Sequence, residues 1–181
     1  RARIELFGTY LKHFDFQIGA EYTGGAPAAT DIYVNAYLSS LLNLQLGQFD
    51  APFTMENRTS DKWFDQQERN FVVRAFAIPQ NKEIGVMYWC MPEAKWAYWS
   101  IGLFNGEGQN VFPHRSNKFD VMGRAWIAPL ALAGQEALKN AWIGGSFWAA
   151  NRDNAPNNQV DRLAMKTQGG LTFFNPVAGP L

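Results

Sequence analysis

Residues that could perform catalysis or bind a metal are sparse and scattered along the sequence. The two histidines, His13 and His114, lie far apart, and neither has a spacing typical of metal ligands. Cys90 is the single cysteine and has no neighbouring histidine, so a small apolar role is favoured over a nucleophile. The carboxylates form no pair that can be placed across a cleft as acid and base. The sequence therefore predicts no catalytic residue, no metal site and no cofactor.

The charged residues are most informative between residues 51 and 82, where no regular pattern persists. A connection of about 30 residues inside a compact fold is more often functional than incidental. Ser60 or Asp61 is a candidate cap for a short helix from Trp63 to Arg69. The basic residues of the segment are Arg58, Lys62, Arg69, Arg74 and Lys82, and the acidic ones are Glu56, Asp61, Asp65 and Glu68. Since the two signs nearly balance, mutual pairing of these side chains remains open beside a role in binding solutes.

The elements on either side of this segment alternate between polar and apolar residues with a period of two. That period is typical of β-strands with one wet and one apolar face. The candidate strands are residues 1–11, 14–22, 31–38, 42–47, 83–88, 99–103, 119–129, 140–151 and 161–174. The sequence thus predicts an all-β, antiparallel fold of about nine strands, joined largely as hairpins.

Charge and aromatic content together narrow the class of protein. The formal net charge is 0 and no block of like charges occurs, which argues against a nucleic-acid partner. Charged residues make up 18% of the chain, below the roughly 25% of an average soluble domain, while 15% are aromatic. Such a composition requires a location that tolerates exposed rings. The candidates for membrane-interface girdles are Tyr10, Tyr22, Trp89, Trp96, Trp99, Trp142 and Trp148.

The lengths of the connections indicate a transmembrane β-barrel. Short connections (11–13, 39–41, 92–95) and long ones (23–30, 51–82, 107–118, 151–160) alternate along the chain, with 131–139 as the exception. Short turns on one rim and long loops on the other are the layout of an outer-membrane barrel. Nowhere do about 18 apolar residues follow one another, so a transmembrane helix is excluded.

Two further expectations concern completeness and the soluble alternative. Bacterial barrels close with an even number of strands, and the sequence starts inside a candidate strand, so the chain is expected to be part of a larger barrel. A soluble β-sandwich or ligand-binding barrel alternates in the same way and would use the aromatic residues as its core. That alternative remains open.

Several short segments occur in an order and spacing that resemble a known family. They are Leu46–Phe53 (LGQFDAPF), Thr59–Ser60, Glu68–Arg69, Ala75–Ala77, Ile84–Val86 and Gly102–Gly106. Over residues 1–130 the sequence resembles the phosphate-selective porins O and P of Gram-negative outer membranes. The resemblance implies an antiparallel barrel of about 16 strands, commonly trimeric, that sits among outer-membrane lipid and lipopolysaccharide.

The resemblance also implies a function and a set of channel residues. An inward-folded loop, here residues 51–82, would narrow a water-filled channel for passive diffusion of ions or small hydrophilic solutes, including anions such as phosphate. The implied constriction residues of this loop are Glu56, Arg58, Lys62, Glu68, Arg69 and Arg74, and strand parity adds Arg3 and Arg124 to the residues expected to line the pore. The near balance of charge departs from a strongly basic lining, so phosphate specificity is not carried over. The alternative is a structural or plugged barrel that anchors a surface complex.

Overall fold

Eight strands form one antiparallel sheet in the computed structural model, and the described residues include almost no helix. The structure describes residues 2–23, 25–39, 41–59, 82–111 and 119–150, together with two short strands further along the chain. The strands of the sheet are β1 (Arg3–Tyr10), β2 (Phe14–Glu21), β3 (Ala28–Ser39), β4 (Leu42–Asp50), β5 (Lys82–Cys90), β6 (Ala97–Phe104), β7 (Asp120–Ile127) and β8 (Ile143–Ala149). Each strand pairs with the next, so the sheet is a simple meander with β1 and β8 as its edges.

The predicted all-β, antiparallel, porin-like fold is confirmed, but the strand count differs. The candidate strand at 161–174 consists of two short strands, β9 (Met165–Lys166) and β10 (Thr172–Phe174), which pair with each other in a separate sheet. The sequence between them contains Gly169 and Gly170, and glycine favours turns over strand interiors. The sheet is open, since β1 and β8 do not pair with each other.

The sheet exposes large apolar side chains on one face and buries polar side chains on the other, which is the reverse of a sheet in a soluble protein. On one face, here called the apolar face, Ile4 is 66% exposed, Ile18 is 50% exposed and Val34 is 46% exposed. On the other, here called the polar face, Asn43 and Glu83 are buried. The antiparallel register keeps each set of residues on its own side across all eight strands. Large apolar side chains therefore face outward, and polar ones face inward.

Within the described part of the chain, the connections confirm the predicted alternation of short and long links, while the predicted long connection 151–160 lies outside it. The short rim is the edge of the sheet that carries connections 11–13, 40–41, 91–96 and 128–142, and the long rim carries 22–27, 51–81 and 105–119. The connection 128–142 is the exception that the sequence predicted, and it contains a short helix α1 (Pro129–Leu132) and a 3-10 helix (Glu136–Leu138). Lys82, which was assigned to the long connection, is the first residue of β5 because it pairs with Asp50 at the end of β4.

Helices play little part in the described residues. No helix among these residues is long and apolar enough to cross a membrane.

A small apolar cluster interrupts the polar face near the long rim. Its buried members are Phe49, Ala51, Met87, Phe104 and Met122, with Tyr33, Phe53, Trp89 and Trp148 packed around them. The first residues after β4, 51–59, contribute to this cluster and include a 3-10 helix (Glu56–Arg58). The cluster is therefore the place where the start of the long connection packs on the sheet.

Candidate functional site

Residues 51–59, here called the crossing segment, run from the end of β4 across the polar face to β8. The Phe53 ring packs edge-to-face on the Trp148 ring, with centroids 5.7 Å apart. The Thr54 backbone N–H donates to Ser146 Oγ at 3.0 Å, and Ser146 lies on β8. The segment thus spans the sheet from its fourth strand to its eighth and brings its side chains over the strands between them.

Local hydrogen bonds give the crossing segment its shape. Asn57 Nδ2 donates to the Ala51 carbonyl oxygen at 2.9 Å, and Thr54 Oγ1 accepts from the Asn57 backbone N–H at 3.2 Å. Thr59 Oγ1 donates to the Met55 carbonyl oxygen at 2.9 Å. Threonine and asparagine side chains bond to nearby backbone in this way and favour compact turns over helix or strand. The sequence between 51 and 59 therefore folds as a tight unit that presents Arg58.

Arg58 ends the 3-10 helix and is half-buried against the polar face. Its Nη1 donates to the Asp50 carbonyl oxygen at 3.0 Å and lies 3.6 Å from Met87 Sδ. Among the described residues, Arg58 has no carboxylate partner within ion-pair distance. Its guanidinium group is thus held by a carbonyl group and not by any carboxylate of the described residues.

Arg124 lies on β7 with its side chain on the same face, directly across from Ser146, to which the crossing segment that carries Arg58 is bonded through Thr54. In register it stands between Ser100 on β6 and Ser146 on β8. The part of the chain that the structure describes provides Arg124 with no hydrogen bond and no ion pair. Among the described residues, the two guanidinium groups therefore share one region of the polar face with no carboxylate within ion-pair distance of either.

Ser100 adds a hydroxyl group at the same place. It is buried, and its Oγ has no hydrogen-bond partner among the described residues. Residues directly opposite in an antiparallel pair have Cβ atoms about 4.5–5.5 Å apart, which places this hydroxyl beside the Arg124 side chain. Guanidinium groups donate in a fork that matches the oxygens of carboxylate and phosphate groups. The arrangement of Arg58, Arg124 and Ser100, here called the arginine pair site, is suited to an oxyanion.

The acidic residues nearest the long rim have structural partners. Glu83 is fully buried and accepts from the backbone N–H of Gly106 at 3.2 Å and of Gly108 at 2.9 Å. Asp120, which is 1% exposed, accepts from Trp148 Nε1 at 2.8 Å. These bonds hold the β6–β7 connection and β8 in place. The described His, Cys, Asp and Glu side chains include no group of three suited to holding a metal ion.

The predicted channel residues fall into three sets. Arg58 and Arg124 come together at the arginine pair site, with Glu56 half-buried on the same 3-10 helix as Arg58. Arg3 lies apart on β1, where its Nε is 2.6 Å from Glu21 Oε2 in a partly exposed ion pair. The residues outside the described part of the chain are Lys62, Glu68, Arg69 and Arg74, together with the predicted helix Trp63–Arg69.

The assignment of Trp89 and Trp148 to membrane-interface girdles is wrong. Both lie on the polar face, where Trp89 Nε1 donates to Asn35 Oδ1 at 2.7 Å and Trp148 packs at the apolar cluster. Trp89 also begins a row of stacked rings near the short rim that continues through Tyr98, Trp126 and Trp142. The parity of Trp89 with Glu83 along β5 was the sequence signal for this placement.

Ser100 was missed as a site residue. The alternation placed it on the polar side of β6, but nothing in its neighbourhood distinguishes it from other strand serines. Its importance comes from Arg124 on the adjacent strand, a pairing that requires the register of β6 with β7.

Comparison with models of known protein families gives a match over most of the chain. A family model described as phosphate-selective porin O and P matches residues 1–167, which extends beyond the 1–130 expected from the sequence segments. A comparison with curated proteins finds no match. Together with the inverted faces and the short and long rims, the family match shows that the chain belongs to the phosphate-selective porin O and P family.

Proposed function

We propose that this protein forms an outer-membrane channel through which small anions diffuse passively, and that the arginine pair site sets its preference for anions. The observation that carries the proposal is that Arg58 and Arg124 share the buried polar face without a carboxylate partner among the described residues. Family membership supports the porin character of the protein. In this proposal the protein assembles as a trimer within lipid and lipopolysaccharide.

The apolar face supports the membrane location. Leu103 on β6 and Phe147 on β8 are about half exposed, and other large apolar side chains on that face are exposed too. In water, contiguous apolar surface of this extent promotes association, whereas hydrocarbon solvates it well. A sheet edge in hydrocarbon costs several kcal/mol for each unsatisfied backbone group. The proposal therefore includes further strands that close the sheet into a barrel around a water-filled lumen.

The arginine pair site supports selection by charge. A passing anion would exchange part of its hydration for guanidinium N–H groups, which is favourable enough to admit it and weak enough to release it. Two unit charges about 4 Å apart interact by about 1 kcal/mol in bulk water. Removing one guanidinium should therefore lower the anion-to-cation permeability ratio by roughly two- to fivefold.

The test is the reversal potential of the reconstituted full chain in planar bilayers under a KCl gradient. Arg124→Gln and Arg58→Gln should each move the reversal potential toward that of a less anion-selective channel. Arg3→Gln is the matched control, because it removes the same charge from edge strand β1, apart from the arginine pair site, and its loss should matter less. Equal reversal potentials for wild type and Arg124→Gln would refute the assignment of the site. The same measurement tests the sequence-based prediction that Arg69→Glu or Arg74→Glu shifts the permeability ratio.

A plugged barrel that anchors a surface complex is the second candidate function. The apolar cluster favours it, because Phe49, Phe104 and Met122 and the crossing segment fill part of the polar face with dry contacts. The same bilayer recordings separate the two functions. A plugged barrel gives no steady ohmic current, whereas the proposed channel conducts in proportion to voltage.

A further inference from the structure

We propose that Lys82 is a positioning residue for Arg58 and that, through Asp50, it sets the anion preference of the channel. This inference rests on the proposed function, since the quantity it changes is ion selectivity. It goes beyond that function because Lys82 itself lies at the start of β5 and is not part of the arginine pair site.

Lys82 joins three neighbouring strands at the long rim. It is 7% exposed, and its Nζ lies 2.7 Å from Asp31 Oδ1 and 2.9 Å from Asp50 Oδ1. Asp31 belongs to β3, Asp50 is the last residue of β4, and Lys82 is the first residue of β5. A buried ammonium group with two carboxylate partners is well compensated, and removal of the ammonium would leave the two carboxylates facing each other.

Asp50 links this ion triad to Arg58. Its side chain accepts from Lys82, while its backbone carbonyl accepts from Arg58 Nη1 at 3.0 Å. Asp50 is also the residue from which the crossing segment departs. The second described contact of Arg58, at 3.6 Å from Met87 Sδ, involves a weak acceptor. The orientation of the Arg58 guanidinium therefore depends chiefly on where the Asp50 carbonyl is held.

Lys82 is poorly suited to attract anions directly. Two carboxylates surround its single ammonium group, so the formal charge of the triad is −1. Any anion preference that depends on Lys82 must then pass largely through the position of Arg58. Loss of Lys82 would let Asp31 and Asp50 repel each other, move the Asp50 carbonyl, and release the Arg58 guanidinium group from its place beside Met87 on the polar face.

The experiment is a double-mutant cycle on reversal potentials under a KCl gradient, using the full chain in planar bilayers. The variants are Lys82→Met, Arg58→Gln and the two together, and heat-modifiable gel mobility checks that each is folded. We expect Lys82→Met to lower the anion-to-cation permeability ratio by roughly two- to fivefold, as Arg58→Gln does. In the Arg58→Gln background, Lys82→Met should have no further effect, and Lys82→Arg should retain the wild-type ratio.

Two results would overturn the proposal. One is an unchanged ratio in folded Lys82→Met. The other is an equal factor of change with and without Arg58, which would show that the lysine charge acts on the ions directly. Asp31→Asn is the matched control, because it removes a carboxylate from the triad but leaves the bond between Lys82 and Asp50, so the ratio should not fall.

A third variant covers a failure of Lys82→Met to fold. Asp50→Asn keeps the backbone carbonyl that binds Arg58 but weakens the interaction of residue 50 with Lys82. This substitution should also lower the anion-to-cation permeability ratio, and only when Arg58 is present. If the wild-type protein conducts with an anion preference but these substitutions leave the permeability ratio unchanged, the role of Lys82 is refuted and the proposed channel is not. A wild-type protein without ohmic current refutes the proposed channel and this inference with it.

Discussion

Replacing Leu6 with arginine should destabilise the folded protein strongly, whereas the same change at the adjacent Phe7 should not. Both side chains are exposed, Leu6 at 60% and Phe7 at 75%, and both lie near the middle of β1. They differ in the face they occupy, because Leu6 lies on the apolar face and Phe7 on the polar face. The pair therefore separates the effect of lipid from the effect of exposure.

The expected magnitude follows from the position of Leu6. An arginine on the lipid face of a barrel costs about 2–4 kcal/mol at the bilayer midplane and about 0–1 kcal/mol near the interfaces. The middle of an eight-residue strand lies close to the midplane, so the midplane cost of about 2–4 kcal/mol applies. The folding equilibrium constant should fall by roughly 30- to 1,000-fold for Leu6→Arg. For Phe7→Arg, the new charge faces the lumen, and a change within about 1 kcal/mol is expected.

Folding into lipid vesicles, followed by urea titration and heat-modifiable gel mobility, measures both free energies of unfolding. A soluble sheet would tolerate arginine at either exposed position. If Leu6→Arg and Phe7→Arg differ by less than about 0.5 kcal/mol, the apolar face does not contact lipid.

Two further predictions concern single positions outside the site. Gly47 has a φ of 126°, and an added Cβ would meet the carbonyl oxygen of Ile32, so Gly47→Ala should destabilise by about 1–3 kcal/mol in the same titration. Gly145→Ala is the control, since a Cβ there meets no neighbour, and equal effects would contradict the steric argument. In the β7–β8 connection, the hydrogen bond from Lys139, at 2.8 Å, lowers the pKa of Glu136. Lys139→Ala should raise that pKa toward its ordinary value in an NMR titration, and an unchanged value would show that the pair is not formed.

The sequence predicted the faces of the sheet because alternation is a local property. By residue parity, Ile4, Ile18 and Val34 fall on the apolar side of their strands, and the structure exposes all three on the apolar face, because the alternation within each strand shows which side faces water. Strand boundaries were less predictable. β3 starts at Ala28, inside the predicted loop, because its first residues pair with β2 beyond an irregularity next to Ile18. That pairing depends on the neighbouring strand and leaves no signal in the sequence of β3 itself.

The candidate site was predictable in part for the same reason. Arg124 was assigned to the lumen by its parity, and Arg58 by its place in the long connection. Their approach to each other depends on the crossing segment, which spans the sheet from β4 to β8 and is fixed by contacts such as Thr54 with Ser146. Contacts between residues so far apart in sequence cannot be inferred from spacing. The tryptophans were misassigned where residue type was weighed above parity.

Some apolar residues occupy positions on the polar face, and the alternation of polar and apolar residues does not by itself explain them. Within β6, Leu103 is 51% exposed on the apolar face, yet Phe104 on the opposite face is fully buried. A phenylalanine side chain on the water-lining face of a strand is unfavourable when it is exposed, so such a residue indicates that another segment of the chain covers it. Residues 51–59 provide that cover. The exceptions therefore mark where the long connection packs.

The same cluster bears on the strength of the arginine pair site. Arg58 contacts Met87, a member of the cluster, so its guanidinium group lies at the margin between dry packing and the proposed lumen. A low-dielectric wall strengthens the interaction of a charge with an ion on the water side, compared with the same charge in bulk solvent. The packing that fixes the crossing segment should thus also increase the field that an anion meets. Filling the cluster with polar side chains, as in Met87→Gln, should weaken selectivity even though both arginines are retained.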